Sequence, residues 1–411
     1  MKQLFKSTCL ILLLPTFCLA AKESLLGLCE KADTSSYVTK QNHVDLDSAE
    51  LANVVSYASV FSGDIFTADN DDGLSGSLTI NLSPSKFASI YAENKTLDVA
   101  HSTYHDNKAK QLMNIANDYL DVVKLLKLRK SLAFEEKIST SNFDKSQNEF
   151  KAGIVSRSEM LSWENRYNLA KSKLIDNDVK IYDKIQSIYR QTGIIPKEIK
   201  TFSNKKPVNI SLSSDSKLKM GVLLAPVTKK HTPSYLDAMK KKWDAAKINS
   251  YSSSLSSAFP EINFTLSSNK TDMSYTLSIN ATNISSALAT YQSEKTARLN
   301  YLKKQRENHA KTVFLAKKLA QQKNKITVAV SSYKNSIEAY KAANADYKAG
   351  KTTQLSLFNA INGVTSQRTN LINAQADLLK EYISLSYEMG HLNVNSIELI
   401  NNLLISSEEI P

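Results

Sequence analysis

The chain repeats itself. Phe150, Lys151, Ala152 and Gly153 return as Tyr347, Lys348, Ala349 and Gly350, the second glycine lying 197 residues after the first (350 less 153). The same shift carries Gly193 onto Gly390, Leu174 onto Leu371 and Ile185 onto Tyr382, and upstream it carries residues 78–82 onto 275–279 and Asp64 onto Glu261 without a gap. A period this long is one supersecondary unit used twice, not a solenoid of short repeats. Each unit reads in the same order: a short helix, two alternating strands, a very long helix, a turn at Ala-Gly, and a shorter helix ending in glycine.

The strand segments constrain the environment. Leu78, Ile80 and Leu82 alternate with Ser77, Thr79, Asn81 and Ser83; Ile262, Phe264 and Leu266 alternate with Asn263, Thr265 and Ser267; Tyr275, Leu277, Ile279 and Ala281 alternate with Thr276, Ser278 and Asn280. A weaker candidate lies at residues 64–68. Period-two alternation puts apolar side chains on one face and small hydroxyl or amide groups on the other. That polar face carries almost no charge, which fits strands with lipid outside and a wet lumen inside. Turn-forming loops at residues 70–73 and 268–272 suit hairpin tips. Four strands cannot close a barrel, and unpaired edges cannot sit in lipid. If these strands lie in a membrane, several chains must share one wall, and three would supply twelve strands. A soluble four-stranded sheet is the competing reading.

The helices that follow are expected at residues 84–150 and 283–347, each about 100 Å long if unbroken. Apolar positions recur at steps of three and four: Leu112, Ile115, Tyr119, Val122 and Leu126, then Ile326, Val330, Tyr333, Ile337, Tyr340 and Tyr347. That is a coiled-coil seam. The returning helices, expected at 155–192 and 352–389, keep it through Tyr167, Leu174, Ile181, Ile185 and Ile188, and through Leu371, Leu378, Tyr382, Leu385 and Met389. Asp178 and Gln375 punctuate these narrow seams, so the helices must pair lengthwise with partners. Gly153 and Gly350 reverse the coil, with Ser156 and Thr353 as N-caps of the next helix.

Composition agrees. The sequence has 10 Gly and 8 Pro in 411 residues, which suits long helices. Residues 1–20 read as an export signal, with Lys2 and Lys6 ahead of an apolar core. Cys29 is then the one cysteine of the mature chain, and Leu28 before it disfavours lipid attachment. The net charge of +12 is spread along helices, with lysine runs at 229–230, 240–242 and 303–304, and reads as solvated faces, not a nucleic-acid surface. No segment has 18 consecutive apolar residues. His101 and His105 are spaced for a shared metal but lack a third ligand, and no phosphate loop or nucleophile elbow occurs. Trp163 and Trp243 lie on helical faces as packing residues. The chain is expected to be no enzyme and to hold no metal or cofactor.

A leader, duplicated hairpin-plus-long-helix units, and a Phe/Tyr-x-x-Gly turn before an amphipathic helix ending in glycine resemble the outer membrane efflux protein (TolC) family over about residues 38–391. The resemblance implies a mainly α fold with a small β part. Its duplicated long-helix coiled coils and two β-hairpins per chain assemble as a homotrimer, a 12-stranded β-barrel on an α-helical barrel. It also implies the outer membrane of a Gram-negative bacterium, a long periplasmic extension, outer-membrane lipid around the barrel, and two partners, a periplasmic adaptor protein and an inner-membrane pump. Members export drugs, or proteins in type I secretion. Carried onto this chain, the turns at Ala152, Gly153 and Ile154 and at Ala349, Gly350 and Lys351 correspond to the tips that adaptors grip. The narrowest point lies on the helix after the second turn, where many members carry two aspartates three residues apart. This chain has Ser356 and Asn359 there, so the electronegative ring of such members is absent at those positions. Thr352, Ser356 and Asn359 are expected at the pore entrance, with Glu159, the first-copy counterpart of Ser356, either bridging to a neighbouring helix or simply solvated. Proline at the start of the second hairpin (Pro260) has Gly63 as its counterpart, and Pro84 has Ala281.

The expected organisation is a signal peptide (1–20), an irregular segment (21–37), a first repeat (38–194, hairpin 61–83), a linker (195–233), a second repeat (234–391, hairpin 260–282) and a C-terminal tail (392–411) with one amphipathic run. The expected function is a passive trimeric export duct opened by docked partners. The alternative is a periplasmic or surface coiled-coil protein without a pore.

Overall fold

The computed structural model describes residues 25–67, 74–81, 84–194, 232–258, 261–267, 270–276 and 281–405. The expected signal peptide, most of the linker and the end of the tail lie outside them. In order the elements are α1 (Leu25–Ser35), α2 (Tyr37–Ala58), β1 (Phe61–Thr67), β2 (Leu74–Asn81), α3 (Pro84–Lys151), α4 (Arg157–Thr192), α5 (Ser234–Ala258), β3 (Glu261–Ser267), β4 (Lys270–Thr276), α6 (Ala281–Lys348), α7 (Gln354–Glu388) and α8 (Val394–Ile405).

α3 and α6 are 68 residues each, about 100 Å of unbroken helix. Pro84 stands at the first position of α3, where its missing N–H is no loss. α3 packs against α4 on one side and α7 on the other, and α7 packs in turn against α6. The four helices thus form a palisade in the order α4, α3, α7, α6, with α4 and α6 at its edges. α5 lies against both α3 and α6, whereas its first-copy counterpart α2 lies against α3.

The expected seam is the core. Leu112, Ile115, Tyr119 and Val122 of α3 are buried with Ile188 of α4, Leu319 and Ile326 of α6, and Leu378, Tyr382 and Leu385 of α7. Each fully buried Leu or Ile contributes roughly 1.5–3 kcal/mol. Toward the turns the seam thins, and Tyr333, Ile337 and Tyr340 are half-buried.

Residues 21–37, expected to be irregular, contain α1. Leu25, Leu28, Cys29 and Ala32 make one stripe at i, i+3, i+4 and i+7, and all four are fully buried in the same cluster as Ile397 and Ile400 of α8. Tertiary packing stabilises a helix too short to be stable alone. Burial pushes the Cys29 thiol up to about 12, with Glu30 adding to the shift.

The strands form one antiparallel sheet in the order β1-β2-β3-β4, with Phe61 opposite Ile80, Thr79 opposite Thr265 and Phe264 opposite Met273. β1 and β4 are its open edges. The strand side chains beyond Phe61 lie outside the described residues, and with them the apolar and hydroxyl faces expected from the sequence. The repeat, ungapped along the helices, slips here. α5 ends at Ala258, three residues beyond the counterpart of Ala58. The first hairpin connection spans 68–73 and the second only 268–269. Lys270 and Asp272, expected in a turn, belong to β4, and Ala281, expected to end a strand, begins α6. The shorter loop offsets the longer helix, so α3 and α6 begin 197 residues apart again.

Candidate functional site

Both coils end in the same hydrogen bonds. At the first, Gly153 N donates to Phe150 O (2.9 Å) and Ile154 N to Glu149 O (2.8 Å); at the second, Gly350 N donates to Tyr347 O (3.1 Å) and Lys351 N to Asp346 O (2.8 Å). This pair of bonds is the Schellman motif, and it needs a left-handed residue, which Gly153 (φ 72°) and Gly350 (φ 68°) supply. Two residues on, Ser156 Oγ accepts from Glu159 N (3.2 Å), and Thr353 Oγ1 from Ser356 N (3.3 Å). Each cap satisfies an otherwise orphan amide. The result is two blunt, pre-set turns whose Ala152, Gly153, Ile154, Ala349, Gly350 and Lys351 are all exposed. Ile154 is 72% exposed, an apolar side chain offered to solvent at the extremity of the coil.

The turns face one another. Lys145 of α3 lies over the ring of Tyr347 of α6, 5.3 Å from its centroid, and also reaches Glu149 at 3.6 Å. Burial raises the Tyr347 hydroxyl, against the opposing charge of Lys145, and Glu149 and Glu159 add to the rise. Glu159 therefore lies within electrostatic reach of the second coil. Ser356 and Asn359 lie on the exposed side of α7, with Leu357 and Ile361 buried on the other, and Thr352 is half-buried beneath the turn.

One residue went unnoticed in the sequence. Arg166 of α4 reaches α7, where its guanidinium lies 3.6 Å from the ring centroid of Phe358 and 5.1 Å from that of Trp163 on its own helix. Its buried Nη1 has no hydrogen-bond partner in the described structure, and burial lowers its basicity. Stacking between two rings suits guanidinium, which is weakly hydrated and planar. No sequence pattern marks this contact, because Arg166 and Phe358 are brought together only by the packing of two distant coils.

No group of three metal-ligating side chains occurs among the described residues; His105, one half of the spaced pair, lies edge-on to Tyr104, their ring centroids 5.5 Å apart. No described helix is long and apolar enough to cross a membrane.

No protein family's sequence profile matches the chain, and no curated protein matches it in sequence. Solved structures do match in shape. The outer membrane protein VceC of Vibrio cholerae shares 12% identity with a TM-score of 0.74, covering 89% of this chain and 96% of that one. The CmeC outer membrane channel of Campylobacter jejuni shares 11% with a TM-score of 0.75, covering 93% and 89%. The MtrE outer membrane channel of Neisseria gonorrhoeae, solved in its open state, shares 13% with a TM-score of 0.67, covering 90% of each chain. At this identity the likeness speaks for the fold: the chain is folded as the outer-membrane efflux channels of the TolC kind are folded.

Proposed function

We propose that the chain is the outer-membrane channel of a tripartite efflux or type I secretion system, a passive homotrimeric duct in a Gram-negative outer membrane. The observation that carries this reading is a mismatch between the interior of the palisade and its edge. Ile372, Ala376 and Leu379 of α7 are 7%, 0% and 1% exposed, while their counterparts Ile175, Val179 and Tyr182 on α4 are 54%, 63% and 66% exposed. The edge helix carries an apolar stripe built for burial and leaves it uncovered, as a closed ring of copies requires.

Quasi-equivalence says what covers it. Within the chain α7 packs on α3; between chains α4 packs on the neighbour's α6. Asp121 and Lys380 pair across the inner seam at 2.6 Å. Their counterparts, Lys318 and Asp183, are opposite in charge, and they meet across the outer seam with the signs exchanged. Lys241 and Ser102 join α5 to α3 at 2.9 Å; their counterparts Val44 and Leu299 are exposed apolar residues on α2 and α6. Not every pair carries over: Asp106 and Tyr387, bonded at 2.8 Å, correspond to Lys303 and Arg190. Three chains remove the open edges of β1 and β4 and make a twelve-stranded wall, the form in which strands span lipid.

In this assembly the turns point away from the barrel, and a periplasmic adaptor grips Ala152, Gly153, Ile154, Ala349, Gly350 and Lys351. Thr352, Ser356, Asn359 and Glu159 line the entrance. Docking separates the coils at Lys145–Tyr347 and Arg166–Phe358 and widens the passage. The chain does no chemistry, and the inner-membrane pump supplies the energy. Val44→Cys with Leu299→Cys tests the closure: oxidation gives denaturant-resistant trimers from detergent-extracted outer membrane. A monomer soluble in plain buffer, without crosslinks, overturns the reading in favour of a pore-free coiled coil. Ser356→Asp with Asn359→Asp creates multivalent-cation block in bilayer recordings, and unchanged conductance removes these residues from the entrance.

A further inference from the structure

We propose that a groove along α4, just past the first turn, binds amphipathic organic anions: molecules with a ring-sized apolar body and one carboxylate. The groove has a volume of about 660 Å³ and is lined by Arg157, Leu161, Asn165, Arg166 and Leu169 of α4 and by Phe358 of α7. That volume admits a small organic molecule, and apolar walls with a few placed polar groups are how such sites are built. Among the described residues neither Arg157 nor Arg166 is paired with a carboxylate, and the buried Nη1 of Arg166 has no hydrogen-bond partner. Elsewhere in the same coil the cations are paired: Arg129 meets Asp178 at 2.6 Å, and Lys173 meets Glu135 at 2.9 Å.

The apolar wall is unclaimed as well. Leu161 and Leu169 are 41% and 53% exposed. The proposed ring covers Ile175, Val179 and Tyr182, whose counterparts are buried. The counterpart of Leu169 is Ser366, which is exposed, so closing the ring leaves Leu169 open. An apolar surface that neither the chain nor its copies bury marks a binding site. Arg166 supplies the matching charge. Phe358 at 3.6 Å and Trp163 at 5.1 Å hold its guanidinium by stacking, and a guanidinium fork takes a carboxylate through two parallel bonds, as an ammonium does not. The site occurs once per chain, since the counterparts of Arg157 and Arg166 are Gln354 and Gly363. An occupant touches both coils and opposes their separation. That consequence rests on the conduit reading; the binding itself does not.

The experiment is calorimetric titration of the detergent-solubilised full chain with 4-phenylbutyrate, corrected for its uptake by micelles alone. Saturable binding of one equivalent per chain is expected, with a change in tryptophan emission that survives Trp243→Phe and so reports from Trp163 beside Arg166. The uncharged 4-phenylbutyramide binds about tenfold more weakly, and Arg166→Gln weakens the acid about tenfold, the loss of one charge-assisted contact. Arg166→Lys, which keeps the charge without the fork, recovers only part of that loss. Leu169→Ser weakens acid and amide alike, Lys171→Gln changes neither, and circular dichroism verifies that the variants keep their helicity. Equal binding of acid and amide, or binding undiminished in the Arg157→Gln, Arg166→Gln double variant, overturns the site. In bilayers phenylbutyrate lowers the conductance of the native chain and not of the double variant; currents indifferent to it, with solution binding intact, remove the effect on the coils. Binding that persists where no conductance is found upholds the site and sinks the conduit instead.

Discussion

The two coiled coils carry the same rungs with their roles exchanged. In the first, Asn177 Nδ2 of α4 donates to Leu125 O of α3 at 3.1 Å; in the second, Gln322 Nε2 of α6 donates to Ala374 O of α7 at 2.9 Å. Positions 125 and 322, and 177 and 374, are counterparts, so the bond survives while donor and acceptor helices trade places. Asp121 meets Lys184 at 3.4 Å, and at the counterpart positions Lys318 meets Glu381 at 2.9 Å with the charges reversed. A third rung keeps its direction: Gln111 donates to Gln191 O at 3.3 Å and Asn308 to Glu388 O at 2.9 Å. Paired helices need their buried polar groups satisfied at fixed heights, and which helix brings which partner is free. In the proposed ring, reversed polarity also lets one copy's edge complement the other's.

The largest effect is expected where the copies diverge at their closing glycines. A Cβ on Gly390 (φ 71°) meets the Pro233 Cα and Thr232 O at 3.0 Å, whereas at Gly153, Gly193 and Gly350 it meets open space. Gly390→Ala should cost more than about 3 kcal/mol, against about 1–2 for the other three, where only the left-handed backbone is at stake. Denaturant unfolding of the four variants checks the ranking. Next comes polarity. Glu381→Lys leaves two cations facing across a rung whose Lys318 end is open to solvent and should cost about 2–3 kcal/mol; adding Lys318→Asp gives the second coil the polarity of the first and restores most of it. No recovery in the double variant breaks the idea that sign is free.

A smaller effect separates Lys127 from its counterpart Asn324. The native ammonium titrates near 7, below the unfolded value, so the unfolded chain binds the extra proton between about pH 10 and 7 and stability falls as pH falls through that window. Lys127→Met should therefore stabilise by about 1–3 kcal/mol at pH 7 and hardly at all at pH 10. Thermal melts at the two pH values read this directly. Smallest of all is Arg129→Ala. Its bidentate pair with Asp178 is nearly half exposed at both ends and should contribute under about 1 kcal/mol, whereas the counterpart Ile326 is buried, and Ile326→Ala should cost about 2–3.

Much of this architecture could be read from residue order. The glycine turns, their Ser156 and Thr353 caps and the long seams are local signals with one physical cause each. The charge-reversed rungs were present too, as opposite residues 197 apart, but reading them needs to know which helix faces which. α1 escapes a sequence reading because the helix is only eleven residues long and is stabilised by α8, far away in sequence. The hairpins slipped because a longer helix and a shorter loop offset one another, leaving the overall period intact. Of the expected entrance residues, Ser356 and Asn359 were placed by the family resemblance and are exposed on α7, while Arg166 and its ring partners were invisible without the packing of two distant coils.

Cys29, the one cysteine among the described residues, lies wholly buried with its thiol raised to about 12. At neutral pH it offers almost no thiolate to alkylating reagents. In the mature chain proposed here, from which Cys9 and Cys18 leave with residues 1–20, an introduced cysteine at any exposed turn takes up a fluorophore or spin label by itself, so distances between the two extremities can be followed without first engineering Cys29 away.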